Sequence, residues 1–131
     1  MRAMPFVRCP SPDDAATAWE QVARARTTAA FLVFGAEQPD TGASWCPDCV
    51  VADPVLRAGI ARQRPELTVY ECPVASRADW KGNADHPYRR HPGLRIARIP
   101  SLVLVVDGVE RGRLVEADCA RPEAVAAFLA R

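Results

Sequence analysis

Two cysteines, Cys46 and Cys49, are the residues of this 131-residue chain best suited to chemistry. They lie three positions apart within Trp45-Cys46-Pro47-Asp48-Cys49, so one helical turn brings them near disulfide distance. The run follows a short apolar segment and opens a helix, with Pro47 at the first helical position. A thiol at a helix start faces unpaired backbone N–H groups and the positive end of the dipole. Both favour thiolate, the nucleophilic form, so Cys46 is the expected nucleophile and Cys49, one turn further in, the resolving thiol. Asp48 sits inside the motif, and its charge opposes thiolate formation. The balance places the Cys46 pKa at about 6 to 7.5. Trp45 is expected to cover the sulfurs and to offer substrates an apolar contact, with core packing as the other reading.

Zinc is the competing use of Cys-x-x-Cys. It needs two further ligands close by, commonly a second cysteine pair or a histidine pair. His86 and His91 are separated by a gap that Pro87 breaks, a poor helical ligand pair. Dithiol redox chemistry is therefore favoured, and no metal is assigned. Cys9, Cys72 and Cys119 are expected to stay thiols without a catalytic role; Cys72 reads as buried and inert in a strand, Cys119 as partly exposed.

The elements that position the motif follow from pattern and punctuation. Residues 1–10 read as an irregular lead-in. Ser11-Pro12-Asp13-Asp14 is a helix start, and Ala15, Ala18, Trp19 and Val22 recur at helical spacing to about Ala25. Residues 30–35 form a short continuous apolar run, as in a strand buried on both faces. Residues 37–44 are a loop, and the motif helix runs from Cys46 to about Gln63, with Pro54 expected to kink it. Residues 67–74 are the next strand, in which Pro73 must lie near the end or on an unpaired side. The polar stretch 77–92 holds a short helix around residues 78–81. Residues 101–106 form a strand, Asp107-Gly108 a hairpin turn, residues 113–116 the returning strand, and residues 122–130 a last helix. This order predicts an α/β protein with the thioredoxin fold, a mixed central sheet flanked by helices on both faces, in a single domain over residues 1–131.

Composition narrows the function classes. Seventeen basic residues against sixteen acidic ones leave a net charge of +1, with no basic excess to hold nucleic acid or an anionic membrane. No apolar run approaches the roughly 18 residues of a spanning helix. The first ten residues lack a signal peptide's apolar core. With five cysteines, an odd number and too few for a secreted disulfide scaffold, the expected compartment is the cytoplasm. Nothing in the sequence argues for an oligomer, so a monomer is expected.

Ser44-Trp45-Cys46-Pro47-Asp48-Cys49 resembles the active site of small cytosolic thioredoxin-related proteins of the thioredoxin domain-containing 17 type. Asp53-Pro54-Val55, Trp80-Lys81, Tyr88-Arg89-Arg90, Ile99-Pro100-Ser101-Leu102 and Glu116-Ala117-Asp118-Cys119 match in the same order. The resemblance implies a protein-disulfide reductase charged by NADPH through thioredoxin reductase, acting on small disulfides such as cystine and a narrow range of proteins. An elongated loop before the motif belongs to the same pattern. The resemblance further implies a cis peptide before Pro100, placed against the cysteines, with the Ile99 backbone offered to an extended substrate. Thioredoxin's buried aspartate in the strand before the motif is replaced here by an apolar residue, taken as Val33. Asp53, one turn after Cys49, is the candidate proton acceptor in its place, against a plain solvated carboxylate. Lys81, Arg89 and Arg90 are expected to draw anionic substrates, or else to be solvated loop charges. No bound cofactor is needed, because the Cys46–Cys49 pair itself carries two electrons. Two other readings stay open: a glutathione-coupled, glutaredoxin-like enzyme, and a binding module without turnover.

Overall fold

In the computed structural model, which describes residues 6–130, five strands form one sheet in the order β1-β3-β2-β4-β5. They are β1 (Phe6–Arg8), β2 (Ala29–Gly35), β3 (Thr68–Val74), β4 (Ser101–Val106) and β5 (Val109–Val115). The sheet is mixed: β1 and β2 both run parallel to β3, whereas β4 is antiparallel to β2 and to β5. The helices are α1 (Pro12–Ala25), α2 (Pro47–Gln63), the single turns α3 (Arg77–Trp80) and α4 (Pro87–Arg90), and α5 (Pro122–Leu129). None is long and apolar enough to cross a membrane.

Side chains of β2 alternate between two helical layers. Phe31 points to α1, where its ring lies 5.0 Å from Trp19. Leu32 and Phe34 point the other way and share a cavity with Ala52 and Leu56 of α2. All seven residues of β2 are buried, so the strand has no polar face, as its unbroken apolar run predicted.

Local chemistry fixes the element starts. The Ser11 side chain accepts from the Asp14 N–H while Asp14 accepts from the Ser11 N–H, a reciprocal cap on α1. Asp107 (φ 55°) and Gly108 (φ 77°) both take the left-handed backbone that a two-residue hairpin needs. Val106 therefore pairs with Val109, and β5 starts straight after the turn.

Several boundaries correct the sequence reading. The lead-in is not wholly irregular, because residues 6–8 add a parallel edge strand to β3; residues 1–5 lie outside those described. The returning strand is Val109–Val115, longer and earlier than residues 113–116. Glu116 already belongs to a 3-10 turn over Glu116–Ala120, which the sequence reading lacked, as it lacked α4. Pro54 sits inside a helix that continues on both sides of it. Pro73 is tolerated because β1 accompanies β3 only as far as Glu71, so its missing N–H falls beyond that pairing.

Candidate active site

Gly35, the last residue of β2, is where the site is assembled. A Cβ there would lie 2.8 Å from the Cys46 Cβ, 2.8 Å from a Trp45 ring carbon and 2.9 Å from the Ser44 hydroxyl. Only glycine leaves room for these three residues, a close approach that a glycine in a strand signals. Its backbone is used as well: its carbonyl accepts from the Ser44 hydroxyl at 2.6 Å, and its N–H donates to the Cys49 sulfur at 3.4 Å. The Ser44 oxygen in turn accepts from the Cys46 N–H at 3.0 Å.

The long loop before the motif is folded back on itself. Glu37 and Ser44 form an antiparallel bridge, and the Gln38 N–H donates to the Ala43 carbonyl at 2.8 Å. The Trp45 indole N–H donates to the Val74 carbonyl at 2.8 Å, anchoring the tryptophan to the end of β3. The ring is thus both held and partly exposed, packing on the core and lining the cleft outside it.

Cys46 is the N-cap of α2, and its sulfur accepts from the Cys49 N–H at 3.3 Å. Its thiol is pulled down to about 7, first by the side-chain hydrogen bond from Cys49 and then by the backbone N–H of Cys49; burial and the Asp48 charge oppose this. Cys49 shows the reverse, its thiol pushed far up by the hydrogen bond with Cys46 and by burial. The two sulfurs are thereby separated in acidity, Cys46 being the more acidic of the pair.

The expected site residues divide between two spaces. Trp45, Cys46, Pro47, Asp48 and Ile99 line an open cleft of about 310 Å³. Cys49, Asp53 and Pro100 line a smaller cavity of about 220 Å³ behind the sulfurs. The Ile99–Pro100 peptide is cis, and Pro100 immediately precedes β4. The Glu116 N–H donates to the Pro100 carbonyl at 2.7 Å.

Several expectations shift. Lys81 and Arg89 line the cleft, but Arg90 does not; it pairs with Asp85 at 2.8 Å. Arg89 is held by the Trp80 and Asn83 carbonyls at 2.6 and 2.9 Å. Arg77 and Arg98, which the sequence reading left out, add to the cationic rim. The apolar residues in the cavity with Cys49 are Leu32 and Phe34, whereas Val33 falls on the opposite face of β2. Cys119 is fully buried rather than partly exposed, and burial pushes its thiol up to about 12.

Asp53 shares the cavity with Cys49 but is engaged by the Arg57 Nε–H at 3.0 and 3.1 Å. Arg57 also bonds Glu71, a carboxylate only 7% exposed on β3. Glu71 lies opposite Leu32 in the strand register, on the α2 side of the sheet. The sequence reading missed it, since within residues 67–74 it looks like an outward strand position; its partners come from α2 and β1.

Each histidine uses its Nδ1 in a local backbone contact. The His86 Nδ1 accepts from the Tyr88 N–H at 3.0 Å, and the His91 Nδ1 from the Gly93 and Leu94 N–H groups at 3.1 Å. Among the described residues, no group of three or more His, Cys, Asp or Glu could hold a metal ion.

Residues 13–131 match the thioredoxin domain of the thioredoxin domain-containing protein 17-like family. The chain is 32% identical over 95 residues to thioredoxin domain-containing protein 17 of Mus musculus, covering 72% of each chain. It is 36% identical over 92 residues to an acireductone dioxygenase of Leishmania braziliensis; the match covers 63% of this chain and spans only 27% of that protein's length. Thioredoxin O2 from Arabidopsis thaliana in its oxidised state superposes with a TM-score of 0.67 at 18% identity, covering 100% of both chains, a likeness of fold.

Proposed function

The chain belongs to the thioredoxin domain-containing protein 17-like family, and from that premise we propose that it reduces disulfides through Cys46 and Cys49. What carries the reading is the asymmetry of the two thiols. Cys46 borders the open cleft with its thiol drawn down to about 7, and Cys49 stands behind it with its thiol raised.

In the proposed cycle the Cys46 thiolate attacks a substrate disulfide, forming a mixed disulfide and releasing one substrate thiol. Cys49 then attacks the Cys46 sulfur, releasing the second thiol and leaving a Cys46–Cys49 disulfide. Its proton passes into the inner cavity, where Asp53 receives it through water. Trp45 supplies an apolar wall, Pro47 starts the helix that lowers the Cys46 thiol, and Asp48 limits how far it falls. The Ile99 backbone, held beside Pro100, pairs with an extended substrate. Thioredoxin reductase and NADPH restore the dithiol, which is the two-electron carrier, so no bound cofactor is required. The protein works as a monomer in the cytoplasm, a single thioredoxin-like domain over residues 1–131. Its substrates are small-molecule or protein disulfides; nucleic acid and membranes are not its partners.

Cys49→Ser incubated with cystine tests this. A cysteine adduct at Cys46, released by dithiothreitol, is expected. Wild-type protein should turn cystine over with NADPH and thioredoxin reductase. Turnover sustained by reduced glutathione would favour a glutaredoxin-like enzyme, and absence of any adduct would leave a binding module.

A further inference from the structure

A second pair of thiols, Cys9 and Cys72, lies on the face of the sheet opposite the Cys49 cavity. The pairing of β1 with β3 sets this arrangement. Arg8 is opposite Glu71, and the Cys9 N–H donates to the Glu71 carbonyl at 2.8 Å. Side chains alternate along strands, so Arg8 and Glu71 meet on the α2 side, at 3.4 Å. The bond from the Cys9 N–H carries the pairing one residue past β1, so Cys9 and Cys72, the next residues of the two segments, share the other face. Neighbouring strands run about 4.8 Å apart, within the Cα separation that a disulfide spans. The two thiols are close enough to shift each other's acidity, and the Cys72 thiol donates to the Tyr70 carbonyl at 3.6 Å.

The pair repeats the polarity of the first. Cys9 is drawn down by the Cys72 thiol, against burial and the charges of Asp14 and Glu71. Cys72 is pushed up by the Cys9 thiol and by burial. Cys9 is the shallower of the two, at 4% exposure against 0%, and it directly follows the edge strand, between the exposed Arg8 and Pro10. The Tyr88 hydroxyl, within electrostatic reach of both sulfurs, is buried with no hydrogen-bond partner. It is a donor available to an oxygen on sulfur.

We propose that Cys9 and Cys72 form a second dithiol–disulfide couple, oxidised by a small hydroperoxide, which fastens β1 to β3. The Cys9 thiolate attacks one peroxide oxygen, the O–O bond breaks, and a sulfenic acid forms as the first water or alcohol leaves. Cys72 loses its proton and attacks the Cys9 sulfur; the S–S bond forms, the S–O bond breaks, and water leaves. The two thiols give up two electrons and two protons, which the peroxide takes up. Closing this bond ties a three-residue strand to the sheet centre and restricts the unfolded chain over the long loop between the two cysteines.

The test uses C46S/C49S protein, so that failure of the reductase reading does not affect it. Five cysteines less the two replaced leave three. Hydrogen peroxide, followed by denaturation and thiol counting, should leave one free thiol, Cys119, and a Cys9–Cys72 linked peptide by mass spectrometry. The thermal midpoint of the oxidised protein should rise by about 10 °C and return with dithiothreitol. If the double variant does not fold, peptide mapping of peroxide-treated wild-type protein reads the same linkage. C72S should stop at a Cys9 sulfenic acid that dimedone traps. Three thiols retained, Cys9 over-oxidised with Cys72 untouched, or links only between molecules would overturn the proposal.

Discussion

Cys46 caps the start of a 17-residue helix, and Cys9 directly follows a three-residue edge strand; each has a second thiol as its neighbour. In both pairs the outer sulfur is lowered and the inner one raised, so the thiols do not distinguish the two regions. Their surroundings do. Cys46 borders an open cleft with a tryptophan, the Ile99 backbone and a cationic rim, room for a substrate larger than a peroxide. Cys9 and Cys72 are both buried, and their sulfurs act electrostatically on the buried Tyr88 hydroxyl. Under the two proposals, the same local chemistry serves exchange with a substrate in one place and closure of a cross-link in the other.

The largest separation between the pairs is expected from Cys46→Ser. Disulfide reduction, followed as NADPH consumption with thioredoxin reductase, should fall by roughly 10³-fold or more. Peroxide closure of Cys9–Cys72 should proceed unchanged in that variant. Loss of both would mean that the pairs are not independent.

The sequence made the first pair legible and left the second hidden, for a physical reason. Cys46 and Cys49 lie in one continuous run whose spacing, proline and following apolar periodicity are all local signals. The α1 cap and the Asp107-Gly108 turn are equally local and were read correctly. Cys9 meets Cys72 only through the pairing of β1 with β3, and three residues carry too little alternation to announce a strand. The same applies to Glu71, whose partners Arg8 and Arg57 come from other elements. Assigning Val33 rather than Leu32 and Phe34 to the cavity was a facing error, since one residue along a strand changes the face. The 3-10 turn at Glu116 escaped because its backbone, with φ 51° at Glu116, is uncommon outside glycine.

Gly35→Ala attacks the first region alone. The added methyl has no space against Cys46, Trp45 and Ser44, so stability should drop by about 1–3 kcal/mol in urea unfolding. Cys46 reactivity should fall with it, while the Cys9–Cys72 linkage still forms. An unchanged urea midpoint would show that the packing at Gly35 is looser than described.

Glu71→Gln addresses the strand residue between the two regions. Its backbone holds Cys9, and its side chain joins Arg8 and Arg57. Removing the charge while keeping the shape should cost about 1–2 kcal/mol, reduced because both arginines are slightly more than a third exposed. Chemical denaturation at low and high salt reads this; a variant as stable as wild type under both conditions would assign the network no net stabilisation.

The smallest expected effect belongs to Asp48→Asn. Asp48 raises the Cys46 thiol, so its loss should lower the midpoint of alkylation by iodoacetamide below the wild-type value of about 7. The shift should be a few tenths of a pH unit, given the exposure of Asp48. Thiolate increases with pH, so at pH 6 the variant should react faster than wild type, with the two converging above pH 8. A midpoint moving upward would reverse the assigned role.

The most direct measurement is the reduction potential of the Cys46–Cys49 pair, obtained by equilibrating the protein with dithiothreitol redox buffers and quantifying the linked peptide. A value of about −270 to −230 mV is expected for a reductase charged from NADPH. A value above about −150 mV, or no disulfide between these two residues at any poise, would contradict the assignment of Cys46 and Cys49 as a reducing dithiol.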